Sequence, residues 1–332
     1  MRDLSAEGGS FPRDESRPIV NGARTSGPLK IATRKSQLAL WQAEHVAALL
    51  RRAHPGIEVE LLPMSTKGDR IQDRSLAAIG GKGLFIKELE TALEERRADL
   101  AVHSMKDVPG DLPDGMLIAA VLPRVDARDA LIAAGGRSFE ELPRGARLGT
   151  SSLRRQAQLL AARPDLHIQT LRGNVDSRLK RLDAGELDAL ILACAGLIRL
   201  GLESRITARL DPAISLPAVG QGVIGIECRT DDAVTRRVLA ALNDESTHTA
   251  TEAERAFARR LGGSCQSPIA AHAHLEGECL TLEGLVAEPD GSRVLRDTLS
   301  GSASHPRELG TALAERVLDA GAARLLERLR SA

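Results

Sequence analysis

The sequence predicts two α/β lobes followed by a small C-terminal α+β domain. Three observations carry this expectation. Short apolar runs alternate with amphipathic stretches from Leu29 to Arg229, as βα units with mostly parallel sheets do. From about Asp244 the alternation gives way to one helix, three strand runs and closing helices. A length of 332 residues suits two or three domains.

Taken in order, residues 1–28 are rich in Gly, Pro, Ser and charge, and read as a disordered tail. Leu29–Ala32 is a short strand. Ser36 opens a helix through about Arg52, with Leu38, Trp41, Val46, Leu49 and Leu50 apolar. Ile57–Leu61 alternates as a half-buried strand does. Ser65–Gly83 carries closely spaced glycines and many charges, and reads as a long mobile loop. Leu84–Arg96 is a helix; Leu100–Val102 and Met116–Leu122 are strands. A second series follows: strands at Ala130–Ala133 and Arg147–Gly149, then Thr150, Ser151 and Ser152 as capping hydroxyls for a helix to about Ala162. His167–Leu171 is a strand, Val175–Leu182 a helix and Ala189–Cys194 a buried strand. Leu216–Arg229 reads as a return crossing and a strand. The last part holds a helix at Thr251–Leu261 and strands at Ile269–Leu275, Leu280–Val286 and Arg293–Ser300, with Pro289-Asp290-Gly291 turning between the last two. Helices from Pro306 close the chain. The expected domains are therefore 29–123 with 218–243, 124–217, and 244–332.

Composition removes several classes. Lys+Arg and Asp+Glu are 45 each, so a general affinity for nucleic acid or an anionic membrane surface is not expected. Four Phe, one Trp and no Tyr are too few for base-stacking platforms. Four cysteines without a C-x-x-C pair make no disulfide framework, so a reducing, cytoplasmic setting is expected. No apolar stretch is long enough to span a membrane, and the N-terminus has no secretory h-region. Neither a phosphate-binding P-loop nor a dinucleotide fingerprint after a strand is present.

Three constellations bear chemistry. Arg34, Arg154, Arg155, Arg172, Arg178 and Arg199 mostly flank expected strand ends, the edge where open α/β sheets bind ligands. They are either solvated surface charges or the lining of a cleft for a polyanion, since guanidinium forks match carboxylates. Thr33-Arg34-x-Ser36 before one helix echoes Thr150-Ser151-Ser152 before another. The second constellation is Ala101–Pro109, AVHSMKDVP: an apolar strand running straight into Ser104, Lys106 and Asp107. It is either a site loop with Asp107 as acid, base or cation stabiliser, or a capped turn with a surface Lys–Asp pair. The third is LGGSCQSPIA, where Cys265 sits in an open loop suited to a nucleophile or attachment point. Cys194, in ALILACAGL, reads as an inert core thiol. A zinc site from Cys265, His272, His274 and Cys279 matches no compact ligand spacing, and no metal is expected.

Together IATRKSQLALWQ, GGKGLFIKELE, AVHSMKDVP, GTSSLRRQ, LRGNVDSRL, AGLIRLGL, SLPAVGQG and GGSCQSPI make the chain resemble the porphobilinogen deaminase (hydroxymethylbilane synthase) family from about Lys30 to its end. The resemblance implies two lobes like those of two-lobed anion-binding proteins and a third domain carrying a cysteine. It implies a transferase of tetrapyrrole (haem and porphyrin) biosynthesis that adds four porphobilinogen units in turn, with loss of ammonia, to give hydroxymethylbilane. It implies a dipyrromethane cofactor held by a thioether to Cys265, with Asp107 as the catalytic carboxylate. Cofactor binding is implied for Ser104, Lys106, Asp107, Ser151, Arg154, Arg155, Arg172 and Gly173. Substrate binding is implied for Arg34, Gln42, Arg172, Arg178 and Arg199, and Lys82 belongs to a loop over the cleft. The expected partners are porphobilinogen and its oligopyrroles, with the enzyme a monomer. A non-enzymatic two-lobed anion binder and a nucleic-acid binder are the rival functions.

Overall fold

The computed structural model describes residues 27–66, 68, 86–263 and 267–331. Most of the expected tail, the glycine-rich loop with Lys82, and Cys265 with its two neighbours lie outside the described residues.

The first sheet is built from β1 (Leu29–Arg34), β2 (Val59–Met64), β3 (Leu100–Ser104), β4 (Met116–Val121) and the later β10 (Ile224–Arg229). Its order is β2-β1-β3-β10-β4, with β10 alone antiparallel to its neighbours. The second sheet holds β5 (Asp129–Ala133), β6 (Arg147–Gly149), β7 (His167–Gln169), β8 (Ala189–Ala193) and β9 (Ala208–Arg209). Its order, β7-β6-β8-β5-β9, repeats the layout of the first, with β5 antiparallel in the place of β10. In each lobe the reversed strand is the one made just after the chain crosses from the other lobe.

Helices cover both faces of each sheet, because neighbouring strand residues point to opposite faces. Leu29 and Ile31 of β1 pack with Ala43, Val46 and Leu50 of α1 (Gln37–Ala53), while Ala32 packs with Leu89 and Leu93 of α2 (Lys87–Glu94). In the second lobe Leu131 meets Leu159 of α3 (Leu153–Ala162), and Ala130 and Ile132 meet Leu179 and Leu182 of α4 (Val175–Asp183). The expected strand at Ala189–Cys194 stops at Ala193, and Cys194 opens the short helix α5 (Cys194–Arg199).

Two helix starts differ from the sequence expectation. Ala233–Ala240 (α6) is a helix capped by Asp232, whose side chain accepts from the Thr235 N–H. The helix expected from Thr251 begins at Glu245 (α7, Glu245–Arg260), because Asp244 accepts from the Thr247 N–H. An Asp cap satisfies the orphan donors of a first turn that has no apolar face of its own.

The third domain packs α7 and α8 (Pro306–Val317) on one face of a meander, β11 (Ile269–Glu276), β12 (Cys279–Ala287) and β13 (Val294–Ser302). Phe257 and Leu313 fill its core. A last helix, α9 (Ala323–Ser331), follows α8. The two inter-lobe crossings run side by side: Val125 N–H donates to Gly222 O at 3.1 Å. Glu254 of α7, fully buried, ties both to the third domain. It accepts from Arg124 Nη2 at 2.7 Å, from Gly220 N–H at 2.7 Å and from Ala273 N–H at 2.9 Å. Burial pushes the Glu254 carboxyl up, but the Arg124 guanidinium outweighs it and holds the group below the usual carboxylate range.

Candidate active site

The C-terminal ends of β1, β3, β6 and β7 face one another across a cavity of about 490 Å³. Local sequence explains why these ends are polar and open. After β1, Ser36 caps α1 by accepting from the Ala39 N–H. After β6, Ser152 caps α3 and accepts from the Arg155 N–H. After β7, Asn174 caps α4, its side chain accepting from Ser177 N–H at 2.9 Å. Capped helix starts at strand ends present N–H groups and a partial positive charge to the space between the lobes. After β3 the chain makes one 3₁₀ turn, Met105–Asp107, instead of a long helix, so Lys106 and Asp107 are held at the wall.

Arg34, Gln42, Ser104, Lys106, Asp107, Ser151, Arg155, Arg172, Gly173 and Arg178 all line this cavity. Six Lys and Arg side chains, Lys35 included, face two carboxylates, Asp107 and Asp176, among the described lining residues. The excess of cations shows in their acidities. Burial and the neighbouring Arg155 push the Lys106 ammonium down to about 8. Burial, then Arg155 and Arg172, push Arg178 down to about 10. Gln42 Nε2 lies 2.9 Å from Ser104 Oγ, which fixes the hydroxyl at the end of β3. Beneath it His103 Nε2 meets the buried Glu227 carboxylate at 2.8 Å.

Two arginines expected at the ligand stand elsewhere. Arg154 is absent from the lining: it donates through Nη2 to Asp129 at 2.8 Å and through Nη1 to Leu216 O at 2.5 Å. Arg199 also stands outside it and donates to Gly222 O in the return crossing at 2.7 Å. Arg155 reaches the cavity wall, yet its Nη2 is 2.7 Å from Asp129 and its Nη1 donates to Ile191 O at 3.0 Å. Asp129 is the reason. This fully buried carboxylate at the start of β5 also accepts from Ser215 Oγ at 2.7 Å and Gln221 Nε2 at 2.8 Å. Burial alone would raise its pKa, but Arg154 and Arg155 outweigh burial and hold it far below the usual carboxylate range. Sequence reading missed Asp129, because with Asp126 and Arg128 before it and the apolar run of β5 after it, it reads as one more charge of an ordinary polar connection.

Glycines let the return crossing approach the Met105–Asp107 turn. Gly220 has φ +67°, and a Cβ there would lie 2.7 Å from Met105 Cβ and 3.3 Å from Lys106 N. Cys194 and Cys228 are buried thiols, pushed up by burial to about 12 and about 11, and Cys279 is exposed. No group of His, Cys, Asp and Glu able to hold a metal is present among the described residues.

Residues 29–237 match the family model described as "Porphobilinogen deaminase, dipyromethane cofactor binding domain", and residues 248–319 match "Porphobilinogen deaminase, C-terminal domain". The chain belongs to the porphobilinogen deaminase family. The porphobilinogen deaminase of Syntrophotalea carbinolica is 52% identical over 305 residues, covering 92% of this chain and 97% of that one. Among solved structures, the Bordetella pertussis BvgS periplasmic VFT2 domain is 15% identical over 64% of this chain and 86% of its own, with a TM-score of 0.40. The Escherichia coli periplasmic aliphatic sulphonate binding protein SsuA is 11% identical over 70% of each chain, with a TM-score of 0.37. At that similarity neither carries a functional inference.

Porphobilinogen deaminases are transferases that polymerise porphobilinogen into hydroxymethylbilane in tetrapyrrole biosynthesis, using a dipyrromethane cofactor. The cavity suits such a group: its cations depress one another, and a ligand carrying several carboxylates relieves that repulsion.

Proposed function

We propose that this chain joins four porphobilinogen units into hydroxymethylbilane, releasing ammonia at each addition, with Asp107 as the catalytic carboxylate and a dipyrromethane held by Cys265 through a thioether. The excess of cations over carboxylates at the cavity wall is the observation that carries the reading. Each pyrrole brings two carboxylates, so an elongating chain needs many fixed cations in one place, and a neutral surface elsewhere costs nothing.

The residues divide by position. Ser104, Lys106, Ser151, Arg155, Arg172 and Gly173 would hold the dipyrromethane, and Arg34, Gln42 and Arg178 the incoming unit. Arg154 and Arg199 act one layer behind: Arg154 fixes Asp129, and Arg199 fixes the return crossing. Guanidinium forks set each carboxylate in a plane, so the pyrrole N–H of the bound unit can be offered to Asp107. Loss of ammonia leaves positive charge on that pyrrole. Asp107, a half-buried carboxylate at the cavity wall, stabilises the developing charge and carries protons between the departing amine and the ring. When bound, the dipyrromethane supplies an electron-rich pyrrole carbon to which the first unit is joined. Lys82, outside the described residues, is read as part of a loop that shields the cavity.

The enzyme is read as a cytoplasmic monomer without nucleic-acid or membrane partners. The balanced charge and the free thiols Cys194, Cys228 and Cys279 support that. No described helix is long and apolar enough to cross a membrane.

Asp107→Asn keeps the volume of the side chain and removes its charge. Turnover of porphobilinogen is expected to fall about 10²–10⁴-fold, with the cofactor still attached by intact mass. Near-parental kcat in a cofactor-loaded variant would reject the assignment.

A further inference from the structure

A second cavity, of about 460 Å³, lies between the first lobe and the third domain and shares no lining residue with the cleft. Its apolar side is Met105, Leu117, Ile118 and Val121. Its polar side is one face of α7, where Thr251 and Arg255 stand one turn apart. Thr251 is 3% exposed, and its Oγ1 is buried without a hydrogen-bond partner among the described residues. A buried hydroxyl left unpaired costs free energy that a ligand oxygen would recover.

Arg255 donates to Gly110 O at 3.0 Å and faces no carboxylate within ion-pair distance among the described residues. Burial, and after it the neighbouring Arg259, push its guanidinium down to about 10, with Asp111 and the buried Glu227, which pairs with His103, acting the other way. The other charges of the cavity differ. Arg259 is paired with Asp111 at 2.9 Å and Arg307 with Glu252 at 2.5 Å, while Asp114 is exposed at the rim. One half-buried cation therefore has no ion-pair partner among the described residues, beside one buried hydroxyl that lacks a hydrogen-bond partner, over an apolar wall. Pockets of this size and make-up hold small organic molecules fixed by a few convergent polar groups.

We propose that this cavity is a second ligand site, for a small carboxylate on a compact apolar body, held by Arg255 and Thr251. The guanidinium takes the carboxylate, the hydroxyl donates to one of its oxygens, and the apolar body rests on Leu117, Ile118 and Met105. Met105 is the first residue of the turn that carries Lys106 and Asp107, so an occupant touches the back of the cleft without entering it. The position is that of an effector, not of a substrate.

The test is a ¹⁹F NMR titration of the protein as purified with 4-fluorobenzoate, and with 4-fluorobenzamide as its neutral counterpart. Saturable binding of the benzoate is expected, with the amide weaker. Arg255→Gln should weaken the benzoate about tenfold or more, the range lost with a hydrogen bond to a charged group. Thr251→Val should weaken it less, and Arg172→Gln in the cleft should leave it unchanged. If Arg255→Gln fails to fold, Arg255→Lys, which keeps the charge but loses the fork, should give an intermediate loss. No saturable binding, an affinity indifferent to Arg255 and Thr251, or a loss in Arg172→Gln equal to that in Arg255→Gln would overturn the proposal.

Discussion

Asp129 has no solvent contact and neutralises two arginines at once, so its charge cannot be removed quietly. In Asp129→Asn one carboxylate oxygen becomes an NH₂ that points at donors from Arg154 and Ser215 or from Arg155 and Gln221. Breaking one side of a buried ion pair typically costs about 3–5 kcal/mol, and urea unfolding should show a loss of that order, with reduced turnover as Arg155 loses its anchor. A change under 1 kcal/mol would mean that the network is dispensable. Glu90 of α2 gives a second expectation. Burial, and after it the Glu227 carboxylate, push it up to about 7 from the ordinary 4.5. The folded state then holds a proton that the unfolded chain releases, so this group's contribution is full below pH 4.5 and is lost as pH rises to about 7. Glu90→Gln should therefore gain stability over the parent at pH 8 and not at pH 4.5, checked by urea melts. An equal effect at both pH values would contradict the shift.

At the scale of elements, the return crossing decides where Lys106 and Asp107 stand. Gly220→Ala would drive a methyl into Met105. Gly201→Ala is the matched control, because Gly201 has a similar φ of +70° and nothing within 4 Å. Both variants lose the glycine backbone term, roughly 1 kcal/mol or more, but only Gly220→Ala should also lower kcat, by tenfold or more on the scale of catalytic misplacement. Equal kcat in the two variants would show that the contact does not position the turn. The elements legible from sequence are those with local signatures: Ser36 and Ser152 before helices, short apolar runs at β1 and β8, alternation at β2, and the polar ends of β3 and β6. α6 and the first turn of α7 were not: α6 is only eight residues long and its apolar residues, Val234, Val238 and Leu239, are few, and α7 opens on Glu245-Ser246-Thr247-His248 with only the Asp244 cap to mark it. The strand-end arginines were legible as a set, but not which of them face the cavity. That depends on Asp129, whose partners lie 25 to 92 residues away in sequence.

Over the whole molecule, three hydrogen-bonded joints set the cleft: the paired crossings at Val125 and Gly222, the Asp129 network of the second lobe, and Glu254 reaching from the third domain to Arg124 and Gly220. The third domain is thereby fastened to both crossings at the point where the lobes meet, and α7 ends shortly before Cys265 in the sequence. A dipyrromethane held covalently at Cys265 is expected to lie in the cation-rich cavity. Intact mass of the purified protein, with an aldehyde colour reaction for pyrroles, tests it on four single alanine variants. The adduct should be present in the parent and in the Cys194, Cys228 and Cys279 variants, and absent from Cys265→Ala, which should fold. An adduct that survives in Cys265→Ala, or that disappears with any other cysteine, would contradict the account.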